Sequence, residues 1–593
     1  MKYYDPQTLS FILKDVHQLD ELLKADRYAA YDMQSIDLLL DAVKDLSDTA
    51  LYPYVKEMDE KPAYFKDGRI KIHEQFESIF QKSGEMGLVG AFMNEEDGGM
   101  QLPLVVFNAL YFITEAANNH VSGYLGLTAG ASNLIINFGT NDLKKRFIPK
   151  MLEMKWGGTM CLTEPQAGSS LSDITTSAKP TGDGTYSIKG QKIFISGSDH
   201  QFSDNFVHLV LARVEGAPAG TKGVSLFVVP QYRVSDDGSI GDCNHVDIVG
   251  EHEKLGQRGY CTNHLAFGDS GESLGYLVGQ ENKGLSYMFQ MMNEARIAVG
   301  RVGTGIASAA YYASLQYAKE RPQGRKLQGT GKKDPNQEQT LIINHPDVKR
   351  MLLHQKAIME GALSVVLQCA WYVDKQMTTT GNERKNFHVL AELLTPIAKT
   401  YPSEKGREAV DTGLQVLGGY GFTMDFILQQ YLRDIRICAI YEGTTGIQSL
   451  DLLGRKVTMM EGAAMKLLAE EVEESIKAAM GVEELKQYAS QLAGGATMIQ
   501  ECLSHLMKYA LNGDHERYLA DATVFMDLFS TVVIGWQWLK MGLAAMDQDE
   551  AFKQSKLHTL DYFYKYEMSR CKGLQKTICH DSDVTVKMGA EMF

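Results

Sequence analysis

The period of the apolar positions changes twice along the chain. From Ser35 it is helical: Ile36, Leu39, Leu40, Val43 and Leu46 recur at i, i+3, i+4 and i+7. Pro53 ends or kinks that helix. Helical segments continue to about residue 152, broken at 94–99 and 139–142. Near Gly157 the pattern becomes short and two-fold. Residues 186–188, 206–211 and 224–229 read as strands, separated by turn signals such as Gly182-Asp183-Gly184 and Ala217-Pro218. Helical spacing returns at Leu285 and lasts to about Arg455, with one helix opening at Pro346 and a polar loop over 324–339. Gly481 and Asn512-Gly513-Asp514 punctuate a further helical region. The first residues, with Tyr3, Tyr4, Phe11 and Leu13, read as an extension packed on another domain. The expected fold is mainly α with a central antiparallel β domain. Its pieces are an extension (1–34), a helical domain (35–157), the β domain (158–272), a second helical domain (273–456) and a C-terminal helical domain (457–593).

Length and charge sharpen this picture. A chain of 593 residues exceeds what one core organises. Its 44% apolar and 22% charged residues are ordinary for a globular protein. The balance of 59 basic against 74 acidic residues leaves −15, which argues against non-specific nucleic-acid binding. The N-terminus lacks a signal core. No run of ~18 uncharged apolar residues is present, so no membrane span is expected. The longest apolar-rich pieces, such as 130–138, have the length of core helices. Eight cysteines without a Cys-x-x-Cys pair suit reduced thiols and a cytoplasmic location better than a zinc site or disulfide frame. No metal is expected.

The candidate chemistry centres on 440–448, Ile-Tyr-Glu-Gly-Thr-Thr-Gly-Ile-Gln. Glu442 stands alone among apolar residues. Desolvation should raise its pKa above the ~4.3 of a free Glu, as a general base requires. Gly443 lets backbone pass close to a ligand. The plainer alternative is a helix start, with Glu442 in the first turn and Gly and Thr as caps. Upstream lie Gln415-Val-Leu-Gly418-Gly419-Tyr420-Gly421-Phe422 and Leu432-Arg433-Asp434. In the β region, Met160-Cys161-Leu162-Thr163-Glu164-Pro165 precedes Gly168-Ser169-Ser170, and Lys192-Ile193-Phe194-Ile195-Ser196-Gly197 follows. An aromatic, an aliphatic and a hydroxyl side chain at a strand end can stack on and hydrogen-bond a flat ring. Each stretch alone is also an ordinary strand and turn. Asn293 and Arg296 share a helix face, which binds a ligand or is simply solvated. The guanidinium of Arg321 suits a phosphate through paired hydrogen bonds.

In order and spacing these stretches resemble the acyl-CoA dehydrogenase family over residues 36–456. The continuation Gly446-Ile447-Gln448 to Arg455-Lys456 is similar to a branch of long bacterial members that includes the methylthiopropanoyl-CoA dehydrogenases. The resemblance implies a helical N-terminal domain, a middle β domain and a helical bundle, plus an extra C-terminal helical domain. It implies FAD held without a Gly-x-Gly-x-x-Gly turn after a strand. Glu442 becomes the base that removes the α-proton of an acyl-CoA thioester, with hydride passing from Cβ to flavin N5. The N–H of Glu442 and a ribityl hydroxyl of FAD polarise the thioester carbonyl. Met160, Leu162 and Thr163 meet the pyrimidine side of the flavin. Phe194 and Ile195 lie by the ring and Ser196 faces N5. Arg321 pairs with the pyrophosphate, and Thr444 touches the adenosine or pyrophosphate end. Gln415, Gly418 and Gly419 belong to a segment lent to a neighbouring subunit's FAD, so a homo-oligomer is implied, with a dimer favoured. Ser169, Asn293, Arg296 and Gly443 meet the CoA thioester.

The chain departs from the family in four places. Phe194 stands for a usual Trp, Ser196 for Thr, Pro322-Gln323 for Thr-Phe after the arginine, and Gly446 for Gln. An electron-transfer flavoprotein is the implied electron acceptor. The alternatives are an acyl-CoA oxidase using O₂, a non-catalytic flavin-binding member, and a scaffold with 460–593 as a docking module. Met86, Met93, Met100, Met288, Met291 and Met292 read either as a plastic acyl pocket or as plain core.

Overall fold

The computed structural model describes residues 2–593 other than Gln328 and Thr330; the side chains of Gln290, Met291 and Met292 also lie outside the described set. Two compact units result, Met33–Ala298, and Met1–Asp32 together with Val299–Phe593.

In the first unit, α1 (Met33–Leu46) buries Ile36, Val43 and Leu46. It passes into a π turn at Ser47–Leu51 and a 3-10 turn at Tyr52–Tyr54, because Pro53 offers no N–H to continue the ladder. A hairpin, Tyr64–Lys66 with Arg69–Lys71, interrupts the helices. Its two turn residues, Asp67 (φ 52°) and Gly68 (φ 76°), are both left-handed, which matches the strand twist. The helical reading of this region had no place for that hairpin. The helix Gln75–Glu85 comes next, and then α2 (Leu104–Ala117), buried along its whole length, α3 (Ser122–Phe138) and α4 (Asn141–Leu152).

The sheet comprises β1 (Trp156–Cys161), β2 (Ser177–Pro180), β3 (Tyr186–Ser196), β4 (Asn205–Val214), β5 (Val224–Pro230), β6 (Val246–Glu251), β7 (Thr262–Phe267) and β8 (Ser273–Leu277). Its order is β6-β7-β3-β8-β5-β4-β1, with β2 paired to β3 and β4. The pairs are antiparallel as expected, except that β1 and β2 run parallel to β4. β1 is buried at every position, which is how a strand covered on both faces reads. α3 lies on it at close range. A Cβ on Gly158 would sit 2.9 Å from Thr128 Cα, and the Gly158 N–H donates to Thr128 Oγ1 at 3.0 Å. Ile188, Val210, Phe227, Val229, Leu265 and Phe267 fill the sheet interior.

α5 (Gly284–Glu320) begins in the first unit and continues in the second. There follow α6 (Pro346–Thr378), which starts with Pro346 at its first position, α7 (Gly381–Val416), α8 (Leu428–Ile435) and α9 (Thr445–Asp451). The last part holds α10 (Ala463–Met480), α11 (Lys486–Leu511), α12 (Ala522–Ala545), α13 (Glu550–Tyr562) and α14 (Cys571–Ile578). The N-terminal extension is bonded into this unit. Tyr28 Oη donates to Asp374 at 2.7 Å, His17 Nε2 meets Ser364 O at 3.1 Å, and Lys556 Nζ bridges Thr8 Oγ1 (3.0 Å) and Glu360 (2.9 Å). One sequence expectation needs correcting. α12 is a longer apolar stretch than 130–138, and is long and apolar enough to cross a membrane by length and composition. Most of it is buried inside this unit, with Phe529, Ile534, Trp538 and Leu539 fully enclosed, so it serves as a core helix.

Candidate active site

Glu442 sits in a bend between a 3-10 turn, Arg436–Ala439, and α9. Its φ is 53° and that of Gly443 is 82°, so two successive residues are left-handed. For a side-chain-bearing residue this costs about 1–2 kcal/mol and persists only where the surroundings enforce it. Here they do. Lys399, fully buried on α7, donates from Nζ to Gly443 O at 2.8 Å. Gln448, also buried, donates from Nε2 to Glu442 O at 3.0 Å. Thr444 Oγ1 accepts from Ile447 N at 3.2 Å and caps α9, and Thr445 Oγ1 donates to Glu404 at 2.6 Å. The helix-start alternative therefore holds for Thr444 alone; Glu442 stands outside the first turn. Gly443 is required for its φ and because a Cβ there would meet Gln448 Nε2 at 2.7 Å. Lys399 was not singled out in the sequence. Its signal is one cation in the otherwise uncharged run 393–403, all of which is buried.

In the first unit, two sequence stretches that lie thirty residues apart are joined. Ile193 N donates to Thr163 O at 3.0 Å, and Lys192 Nζ donates to Leu162 O at 3.0 Å. The same ammonium pairs with Glu164 at 2.8 Å, both groups being almost wholly buried. Glu164 also accepts from the N–H and hydroxyl groups of Thr175 and Thr176. Burial alone would raise the Glu164 pKa, but the Lys192 charge and these bonds outweigh it and hold the carboxyl down at about 2. Burial draws Lys192 below the usual ammonium range.

At the end of β3 the register with β7 slips between Leu265 and Asn263, leaving an extra residue near Phe194. Phe194 takes φ 58° and turns its ring outward, 58% exposed. Such a bulge re-aims a side chain. The ring leans on His252 at 4.7 Å, and burial lowers the His252 pKa. Ile195 points into the core, while Thr163 and Ser196 are half-exposed with no hydrogen bond from either hydroxyl among the described residues. An outward aromatic face flanked by unsatisfied hydroxyls fits a flat heterocycle such as the flavin. Met160 is buried in β1 beneath this surface, and Ser169 is exposed in the turn beyond it.

On α5, Arg296 is 5% exposed, so it is no solvated surface arginine. Asn293 is half-buried. Between them Glu294 accepts from Asn133 Nδ2 at 3.2 and 3.3 Å. Burial pushes its pKa up to about 7, against the opposing pull of that bond. Ionisation therefore costs the folded chain: the contribution is fully present below about 4.5 and lost as pH rises towards 7. Glu294→Gln should melt like the parent at pH 4 and higher than the parent at pH 8, by roughly 1–3 kcal/mol after screening. Equal melting curves at pH 8 would remove the strained carboxylate from consideration. Of the candidate pocket methionines, Met93 and Met288 are buried and Met86 and Met100 half-buried; Met291 and Met292 lie outside the described side chains.

In the second unit Arg321 is exposed and lies over the Tyr420 ring at 6.0 Å. Gln415, Gly418 and Gly419 are exposed on the same segment, followed by Phe422 at 98% exposure. The candidates thus form two sets. Leu162, Thr163, Phe194 and Ser196 gather on the sheet of one unit, and the Glu442–Thr444 loop and the Arg321–Tyr420 contact lie in the other.

Family models match along nearly the whole chain: "Acyl-CoA dehydrogenase, N-terminal domain" at 34–155, "middle domain" at 159–270, "C-terminal domain" at 332–458, and "Acetyl-CoA dehydrogenase C-terminal like" at 468–589. A 3-methylmercaptopropionyl-CoA dehydrogenase of Ruegeria pomeroyi is 34% identical over 590 residues, 98% of this chain and 99% of that protein. Among solved structures, Caenorhabditis elegans ACDH-11 in complex with C11-CoA superposes with TM-score 0.75 at 18% identity, over 98% of this chain and 95% of that one. An acyl-CoA dehydrogenase complexed with FAD from Bacillus anthracis gives 0.74 at 22% identity, over 94% and 90%.

Proposed function

Because the chain belongs to the acyl-CoA dehydrogenase family, we propose that it desaturates an acyl-CoA thioester between Cα and Cβ, with Glu442 as the base. The observation that carries this reading is the strained loop itself: a carboxylate on left-handed backbone, fixed by Lys399 and Gln448. FAD, when bound, supplies the acceptor for the hydrogen lost from Cβ as hydride. The chain's residues do the rest. Glu442 takes the α-proton, and its own N–H donates to the thioester oxygen, which must be polarised before so weak a C–H acid ionises. Gly443 leaves room for the thioester. Phe194 offers a face to the flavin, with Thr163 and Ser196 donating hydroxyls at its edge and Met160, Leu162 and Ile195 shaping the strand ends. Arg321 and Thr444 hold the phosphate and adenosine end; the Thr444 hydroxyl oxygen accepts from Ile447 N, and among the described residues its proton is left to donate. Gln415, Gly418 and Gly419 serve a neighbouring copy's cofactor, which makes the enzyme at least a dimer. Ser169, Asn293 and Arg296 hold the CoA ester.

The Ruegeria pomeroyi relative is named for 3-methylmercaptopropionyl-CoA, which makes that thioester the first to try here, and an electron-transfer flavoprotein is the acceptor we propose. The test is an anaerobic titration of the FAD-loaded protein with acyl-CoAs of increasing length. Bleaching of the oxidised flavin band by at least one of them is the expected result. A yellow protein that none bleaches would overturn the reaction. Turnover that consumes O₂ as fast as an added acceptor would make it an oxidase.

A further inference from the structure

The C-terminal part of the second unit contains a pair of thiols that the proposed reaction does not use. Cys502 lies mid-way along α11 and is fully buried. Cys579 caps the end of α14 and is partly exposed. Their sulfurs are 3.8 Å apart. The two elements are tied together around them. Gln575 of α14 donates to Glu501, the neighbour of Cys502. Beyond Cys579, Arg517 donates to His580 O at 3.0 Å and Tyr509 Oη to Asp581 at 3.4 Å. The pairing is therefore held by contacts on both sides of Cys579. Closing 3.8 Å to a bond of about 2.05 Å needs a shift of under 2 Å. Cys579 can supply it, because it sits past the last helical turn, where a single bond to Gln575 O fixes its N–H.

We propose that Cys502 and Cys579 form a modification site that takes a low-molecular-weight disulfide and closes to an intramolecular bridge between α11 and the C-terminal segment. The division of labour follows from exposure. Burial and the neighbouring Cys579 push the Cys502 thiol up to about 12, so it is inert towards reagents in solution. Cys579, the accessible partner, attacks first as thiolate. It displaces one thiolate from the external disulfide and becomes a mixed disulfide. Cys502 then loses its proton to solvent and attacks Cys579 Sγ, expelling the second thiol. Two protein thiols are oxidised and one external disulfide is reduced to two thiols, so electrons and protons balance. The bridge would staple residues 580–593 to α11.

The full-length reduced protein is incubated with oxidised glutathione, alkylated and digested with trypsin without reduction. The expected product joins peptide 487–508, which carries Cys502, to peptide 577–587, which carries Cys579. It should exceed glutathione-capped 577–587 by roughly tenfold or more, since the buried thiol competes at high effective concentration. Cys502→Ser should reverse that ratio, and Cys571→Ser should leave it unchanged. Glutathione retained on Cys579 of the unsubstituted chain, no reaction at either residue, or a bridge through Cys571 would each overturn the proposal.

Discussion

Glu442→Gln is expected to keep its FAD, bind acyl-CoA and lose turnover by roughly 10³–10⁴-fold, with no flavin bleaching on the time scale of the parent. The substitution is isosteric and leaves φ 53° as tolerable for Gln as for Glu, so the loop bonded to Lys399 and Gln448 should survive. Only the proton acceptor is removed. Unchanged FAD content with lost bleaching separates this from unfolding, and turnover within tenfold of the parent would move the base elsewhere. Lys399→Met tests the support beneath it. Lys399 touches no reacting atom, so it is a positioning residue. Its loss should lower kcat more than it raises KM, because the bond that fixes Gly443 O, and with it the backbone carrying Glu442, is removed. A lowered melting temperature with kcat and KM both unchanged would reduce Lys399 to a structural role.

How much of this was legible beforehand follows from the range of the interactions. The loop at 440–448 is local: Thr444 announces a cap within four residues and it is found, whereas the left-handed backbone of Glu442 and Gly443 is not written in the residue types. The exposed strand end was also visible, since Phe194 and Ser196 alternate with the buried Ile195 along one strand. The bulge that swings Phe194 out was not visible, because it depends on register with β7, some seventy residues away. The parallel pairing of β1 with β4 escaped for the same reason. Strand sequences state which faces are buried, not which neighbour they meet. The hairpin at 64–71 is too short to interrupt a helical pattern, although Asp67-Gly68 is its turn signal. Lys399 and the thiol pair at 502 and 579 are tertiary facts, and each looks ordinary until the chain brings its partner to it.

Lys192→Met should be the most destabilising single substitution around the sheet, by about 3–5 kcal/mol. The methionine fills similar volume but leaves the Glu164 carboxylate buried, still accepting from Thr175 and Thr176, with no cation opposite. In the parent, the depressed Glu164 pKa means that the pair stabilises fully above about 4.5 and fades as pH falls towards 2. In the variant burial dominates and the carboxyl prefers its proton, so the deficit should shrink in mild acid, the opposite trend. Lys192→Met/Glu164→Gln should regain most of the lost stability, because a neutral pair removes the uncompensated charge. It should not regain flavin affinity to the same extent, since the bond from Lys192 to Leu162 O, which holds the turn that we propose faces the flavin, stays missing. Thermal unfolding from pH 4 to 8 and FAD content after gel filtration measure the two effects separately. A Lys192→Met protein that melts within about 1 kcal/mol of the parent would show that the turn does not depend on the buried pair. A double variant that recovers both stability and flavin would show that the cation serves Glu164 alone.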